Sequence, residues 1–252
     1  MLVQATWPLR VDEPVSLPQS YGLELVRLLH KRLGIEMGSE AVPSTSCSGI
    51  VGRCSLSREF VTFEPQQDYW LSLCGLQGES SKAILDLGMG DRLEMLGGCF
   101  EVGDREVDVT SYEQMYQEKV AQEPEPLKYL DLEFITPTTF SQNRLYLPLP
   151  VPVMMFRSWL ERWNRFAPVY LGGDELLMFL GEGVAVSRHR IQSRSLVVGT
   201  SRVTGFVGNV SLRVMGWVDP LLGNVARLLV EYGSFAGTGT KTRIGMGCTR
   251  VK

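Results

Sequence analysis

Between Leu2 and Leu9 the apolar residues Val3, Ala5, Trp7 and Leu9 alternate with Gln4 and Thr6, the two-residue period of a strand with one buried face. The period then lengthens. After Pro18 and Ser20, which suit a helix start, Tyr21, Leu25, Leu28, Leu29 and Arg32 fall on one stripe that Gly34 ends. Strand-like stretches around Ile50–Phe63 and Tyr69–Leu76, a short helix near Ser80–Leu87 and a strand at Arg92–Val102 complete the order βαββαβ.

Regularity stops between Tyr112 and Glu125, a polar segment running into Glu123-Pro124-Glu125-Pro126, where the prolines block a helix and mark a linker. A boundary there predicts domains of residues 1–125 and 126–252. In the second, Leu130, Leu132 and Phe134 alternate with Asp131 and Glu133 over Tyr129–Ile135. Pro148, Pro150 and Pro152 then precede the most regular helical stripe of the chain, Phe156, Trp159, Leu160, Trp163 and Ala167, whose two tryptophans read as core and not as stacking platforms. Strands at Gly183–Val198 and Val203–Trp217 follow. A helix comes next, with Asp219 as N-cap, Pro220 at its first position, and Leu221, Leu222, Val225, Leu228, Leu229 and Tyr232 facing inward. A short strand near Gly247–Val251 repeats the order βαββαβ. The expected fold class is therefore α+β, two tandem ferredoxin-like domains with a C-terminal glycine-rich loop. RNA-recognition modules share this fold, but so do many other functions, and the sites must decide.

Composition narrows the class. A chain with 44% hydrophobic and 21% charged residues can build a core, which excludes a disordered or coiled-coil protein. Its longest charge-free stretches, such as 41–52 and 145–156, fall short of the roughly 18–20 residues of a membrane-spanning helix. Asp12 and Glu13 come too early for a signal peptide. The expectation is a cytoplasmic protein with no membrane partner. Five cysteines without a C-x-x-C pair, and only two histidines, argue against structural zinc, so neither metal nor cofactor is expected. The net charge of −3 conceals an asymmetry: residues 1–126 carry 10 basic and 20 acidic side chains, residues 127–252 carry 15 and 8, and residues 183–252 carry 10 and 2. A basic second half is a hint of a polyanion partner.

Three constellations could carry chemistry. The run Gly237-Thr238-Gly239-Thr240-Lys241-Thr242-Arg243-Ile244-Gly245-Met246-Gly247 fails both the nucleotide-triphosphate and the dinucleotide patterns. It suits a loop that brings bare backbone N–H groups of Gly237, Gly239, Gly245 and Gly247 to a phosphate beside Lys241 and Arg243; it equally suits a flexible turn. Arg188, Arg190 and Arg194 share one face of a strand, His189 projects from the other, and Arg202 lies near the turn. No acidic residue occurs between Gly183 and Trp217, which favours phosphate contact over a solvated face of mixed sign. On the first helix Arg27, His30 and Lys31 lie at i, i+3 and i+4, placing a proton-transfer group with two cations, or simply a surface histidine on a polar face.

The glycine run after a helix, the segment Leu132-Glu133-Phe134-Ile135-Thr136-Pro137-Thr138-Thr139-Phe140, the stretch Leu147-Pro148-Leu149-Pro150 before a helix ending Arg162-Trp163-Asn164, and Gly205-Phe206-Val207-Gly208 together resemble one family. It is the sixth Cas family of the RAMP superfamily, the CRISPR repeat-processing endoribonucleases, and the resemblance covers nearly the whole chain. It implies a metal-independent nuclease that cuts repeat RNA in precursor transcripts into mature guide RNAs by 2′-hydroxyl attack, leaving a 2′,3′-cyclic phosphate and a 5′-hydroxyl. His30 is then the candidate acid or base, with Arg27 and Lys31 stabilising charge. Many members carry their histidine just before the second strand, where this chain reads Pro43-Ser44-Thr45-Ser46-Cys47-Ser48. That departure leaves the proton-transfer pair incomplete, with Ser46, Ser48 or Tyr21 as positioning groups. The alternative is a non-catalytic guide-RNA-binding subunit, partnered by other subunits of a CRISPR effector assembly.

Overall fold

The computed structural model describes residues 1–35, 42–125 and 127–252. The elements of the first half are β1 (Leu2–Arg10), β2 (Val15–Pro18), α1 (Tyr21–Leu33), β3 (Thr45–Gly52), β4 (Ser55–Leu56), β5 (Phe60–Phe63), β6 (Tyr69–Gly75), α2 (Gly78–Asp86), β7 (Arg92–Met95), β8 (Gly98–Val102), β9 (Glu106–Thr110) and α3 (Tyr112–Tyr116). A π-helical turn, Gln117–Ala121, continues α3. The second half holds β10 (Tyr129–Thr138), β11 (Phe140–Gln142), β12 (Leu145–Leu147), α4 (Pro152–Phe166), α5 (Asp174–Gly183), β13 (Val184–Val198), β14 (Ser201–Val214), α6 (Pro220–Ala236), a 3₁₀ turn at Thr242–Ile244 and β15 (Thr249–Val251).

Each half builds the antiparallel order expected of a ferredoxin-like unit. In the first, β1 is central, with β6 and then β3 on one side and β9 on the other. In the second the order is β13-β14-β10-β15. The alternation of β1 turns Val3, Ala5, Trp7 and Leu9 into the first core with Leu25 and Leu29 of α1, while Trp159 and Trp163 of α4 are fully buried in the second. Asp219 caps α6 by accepting from the Leu221 N–H at 2.8 Å, as the sequence predicts. Leu221 itself is exposed and not part of the buried face.

Four expectations need correction. The stretch Arg92–Val102 is not the closing strand of the first unit but a hairpin: Leu96 and Gly97 both have positive φ, 49° and 80°, and such a pair forms a two-residue turn. The closing strand is β9, whose Val107 and Val109 pair with Ala5 and Val3 yet remain largely exposed. The stretch from Ile50 to Phe63 is three short strands, the first ending at Gly52. In the second unit α5 precedes β13. Lastly, Tyr112–Glu125 is helical through Ala121 and docked: Tyr112, Met115 and Val120 join the core of the second half, and Lys119 pairs with Glu231 of α6 at 2.9 Å. Pro124 accepts from Asn224 Nδ2 at 3.0 Å; Pro126, the last residue of the expected linker, lies outside the described residues.

Candidate nucleic-acid interface

Helix α1 separates the three residues that the sequence groups together. One residue turns a helix by about 100°, so His30 falls about 100° from Lys31, on the side of Val26, one turn earlier. Val26 and His30 are both buried, whereas Arg27 and Lys31 are exposed, and Arg27 is ion-paired to Glu24. His30 therefore belongs to the inner edge of the helix. The hydroxyls near the missing histidine position are also occupied: Ser46 Oγ donates to the Phe235 carbonyl at 2.7 Å, Ser48 Oγ to the Gly49 carbonyl at 2.6 Å, and the Tyr21 hydroxyl to the Ile50 carbonyl at 3.4 Å.

The glycine-rich run is a buttressed loop. Gly237 N–H donates to Gly233 O at 2.9 Å, Gly239 N–H to Ser158 Oγ at 3.0 Å and Gly247 N–H to Pro137 O at 3.0 Å. These three N–H groups serve the fold, which corrects the expectation that they reach bare to a phosphate. The glycines are there for close approach: a Cβ on Gly239 would sit 2.2 Å from Thr139 O, and one on Gly247 2.2 Å from Thr238 O, both at positive φ. Beneath the loop the buried Arg162 of α4 donates to Gly239 O at 2.7 Å, and Trp159 Nε1 to Thr238 Oγ1 at 3.0 Å. Desolvation pushes the Arg162 guanidinium below its ordinary pKa. With its frame fixed, the loop carries the side chains of Lys241 and Arg243 at its outer turn, and the 3₁₀ turn packs against α1 and β3. There Gly49 and Gly245 meet backbone to backbone.

On the β13–β14 hairpin, Arg188, His189, Arg190, Arg194 and Arg202 are all exposed. Arg188 stands opposite Ser211, Arg190 opposite Asn209 and Arg194 opposite Gly205, a row of cations among small neutral partners. Gly205 and Gly208 permit the packing beneath: Cβ atoms there would meet Thr138 N at 2.6 Å and Arg190 O at 2.2 Å. Arg202 reaches the first unit, donating to Gln19 Oε1 at 3.1 Å just before α1. The hairpin and the glycine loop thus both abut α1. Sequence reasoning missed a cleft of about 470 Å³ between α4, β11 and the loop, with Arg157, Lys241 and Arg243 on its walls. The available signal was the set Arg157, Arg162 and Arg165 on a helix with a single carboxylate, Glu161.

Residues 132–249 match the family model described as CRISPR-associated endoribonuclease Cas6. A curated relative of that description from Mycobacterium tuberculosis is 32% identical over 163 residues, 65% of this chain and 51% of the relative. One from Streptococcus thermophilus is 26% identical over 125 residues, 49% of this chain and 51% of the relative. The chain spans about half the length of the curated relatives it matches. Among solved structures, a Cas6 product complex superposes with a TM-score of 0.74 at 20% identity, covering 100% of this chain and 99% of that one. Thermus thermophilus Cas6 gives 0.68 at 18%, with 100% and 98% covered. In sequence over residues 132–249 and in fold over its full length, this chain resembles the CRISPR-associated endoribonucleases of the Cas6 family.

Proposed function

We propose that the chain is an endoribonuclease that cuts CRISPR repeat RNA in precursor transcripts, with residues 1–125 carrying the chemistry and residues 126–252 gripping the RNA. The observation that carries this reading is the convergence on α1 of two cationic features, the arginine hairpin and the rigid loop bearing Lys241 and Arg243, in a chain whose second half matches the Cas6 family model. In the reaction the 2′-oxygen of one nucleotide loses its proton and bonds to the adjacent phosphorus. The bond from phosphorus to the 5′-oxygen breaks, and that oxygen takes up a proton, leaving a 2′,3′-cyclic phosphate and a 5′-hydroxyl. No metal is required if side chains supply the proton transfers and the charge stabilisation. In this reading His30 transfers a proton, while Arg27 and Lys31 stabilise the developing charge.

The burial of His30 favours a second reading, a guide-RNA-binding subunit without its own chemistry. The two part in one experiment: repeat RNA is incubated with the wild type and with His30→Ala in excess EDTA. Cleavage by the wild type alone supports the enzyme with His30 in its site. Equal cleavage by both removes His30 from the chemistry, and no cleavage by either leaves the binding subunit.

A further inference from the structure

We infer that the cleft between α4, the β11–β12 hairpin and the glycine loop holds a nucleotide of single-stranded RNA, its phosphate set among Arg157, Lys241 and Arg243 and its base against Tyr146. The inference rests on the RNA-binding reading above and assigns it a site apart from the arginine hairpin.

The cleft has the size and rigidity of a preformed site. Its volume of about 470 Å³ lies within the range of small-ligand sites and matches a nucleotide better than a duplex. Arg162, bonded to the carbonyls of Ser158 and Gly239, ties the α4 wall to the loop wall. Around it, among the described residues, three cations from α4 and the loop line the cleft with one carboxylate, Glu161. Ser141 and Thr240 add neutral hydroxyls, which can donate to phosphate oxygens as the cations do.

An aromatic surface adjoins the charge. Ser141 and Tyr146 are cross-strand partners in the hairpin and so share a face, and the Lys241 ammonium lies 5.9 Å from the Tyr146 ring centroid. The ring is exposed. The Asn143-Arg144 turn, with φ of 49° and 67° at its two central residues, fixes its presentation. An exposed aromatic beside a cationic wall is the arrangement that stacks a base while its phosphate is held. Glu161, unsuited to a phosphate, can accept from a base amino or a ribose 2′-hydroxyl. A second groove of about 420 Å³ shares Arg157 and Glu161 and continues to Tyr170, so the strand has a path along α4.

The test uses the full chain and a fluorescein-labelled oligouridylate of about ten nucleotides, the order of one single-strand binding site. Arg157→Ala and Tyr146→Ala should each weaken binding about tenfold. Arg157→Ala should also lower the slope of log affinity against log salt by about 0.7, and a 5-iodouridine probe should photocrosslink to Tyr146. Unchanged affinity and slope in both variants would overturn the site while leaving repeat cleavage intact, and so would a wild type that fails to bind the probe. Wild-type binding with both variant effects but without repeat cleavage would support the site and count only against the nuclease.

Discussion

At the residue scale, the glycines of the C-terminal loop differ in what they do. Gly239 and Gly247 have no room for a side chain, whereas the nearest atom to a Cβ on Gly245 is 3.6 Å away. Gly239→Ala should cost about 3 kcal/mol or more from the clash and the positive φ together. Gly245→Ala should cost only the about 1–2 kcal/mol of the left-handed backbone; paired urea titrations would check the order. The sequence shows where these glycines stand but not that the N–H groups of three of them face inward, because their acceptors at Pro137, Ser158 and Gly233 lie on three different elements. Buried thiols give a second prediction. Burial pushes Cys47 up to about 11 and Cys74 up to about 12, from 9. A pKa raised on folding contributes stability that is fully present below the unfolded value and lost as pH rises toward the folded one. Unfolding free energy should therefore fall above about pH 9, and less steeply when both are replaced by alanine.

At the element scale, strands and helices with a buried stripe were legible, and those without one were not. The alternation in β1 and β10 and the stripes of α4 and α6 point to the elements found. In contrast, β9 has no buried residue, so nothing in its pattern marks it as the strand beside β1. Helix α5 is short, and its Met178 and Phe179 face solvent, which blurs the stripe of Leu176, Leu177 and Leu180. The arginine hairpin was readable in full because a strand's parity fixes which side chains share a face. Its proposed role in gripping RNA yields a separate test. Arg190→Ala and Arg194→Ala should each weaken repeat-RNA binding and lower the salt slope by about one. An unchanged slope in a fluorescence titration across salt would place the RNA elsewhere.

At the scale of the whole molecule, an acidic first half and a basic second half meet across a shared interior. The Tyr112 hydroxyl donates to Leu76 O at 2.7 Å, and its ring packs edge-on against Trp163 at 5.0 Å, so the segment joining the halves is also part of the second core. This docking was not legible in the sequence. The many charged residues of Tyr112–Glu125 read as a linker, and only the fold reveals that Tyr112, Met115 and Val120 share one buried side. Charge asymmetry, by contrast, was readable, and it predicts that RNA is steered to the face where the hairpin and the loop meet α1. The proposed cleavage by attack of a 2′-hydroxyl is tested by mass spectrometry of the products from repeat RNA incubated with this chain in EDTA. One cut is expected, with a 2′,3′-cyclic phosphate upstream and a 5′-hydroxyl downstream, abolished by a 2′-deoxy nucleotide at the cut. Products bearing a 5′-phosphate, or cleavage of the 2′-deoxy substrate, would contradict it.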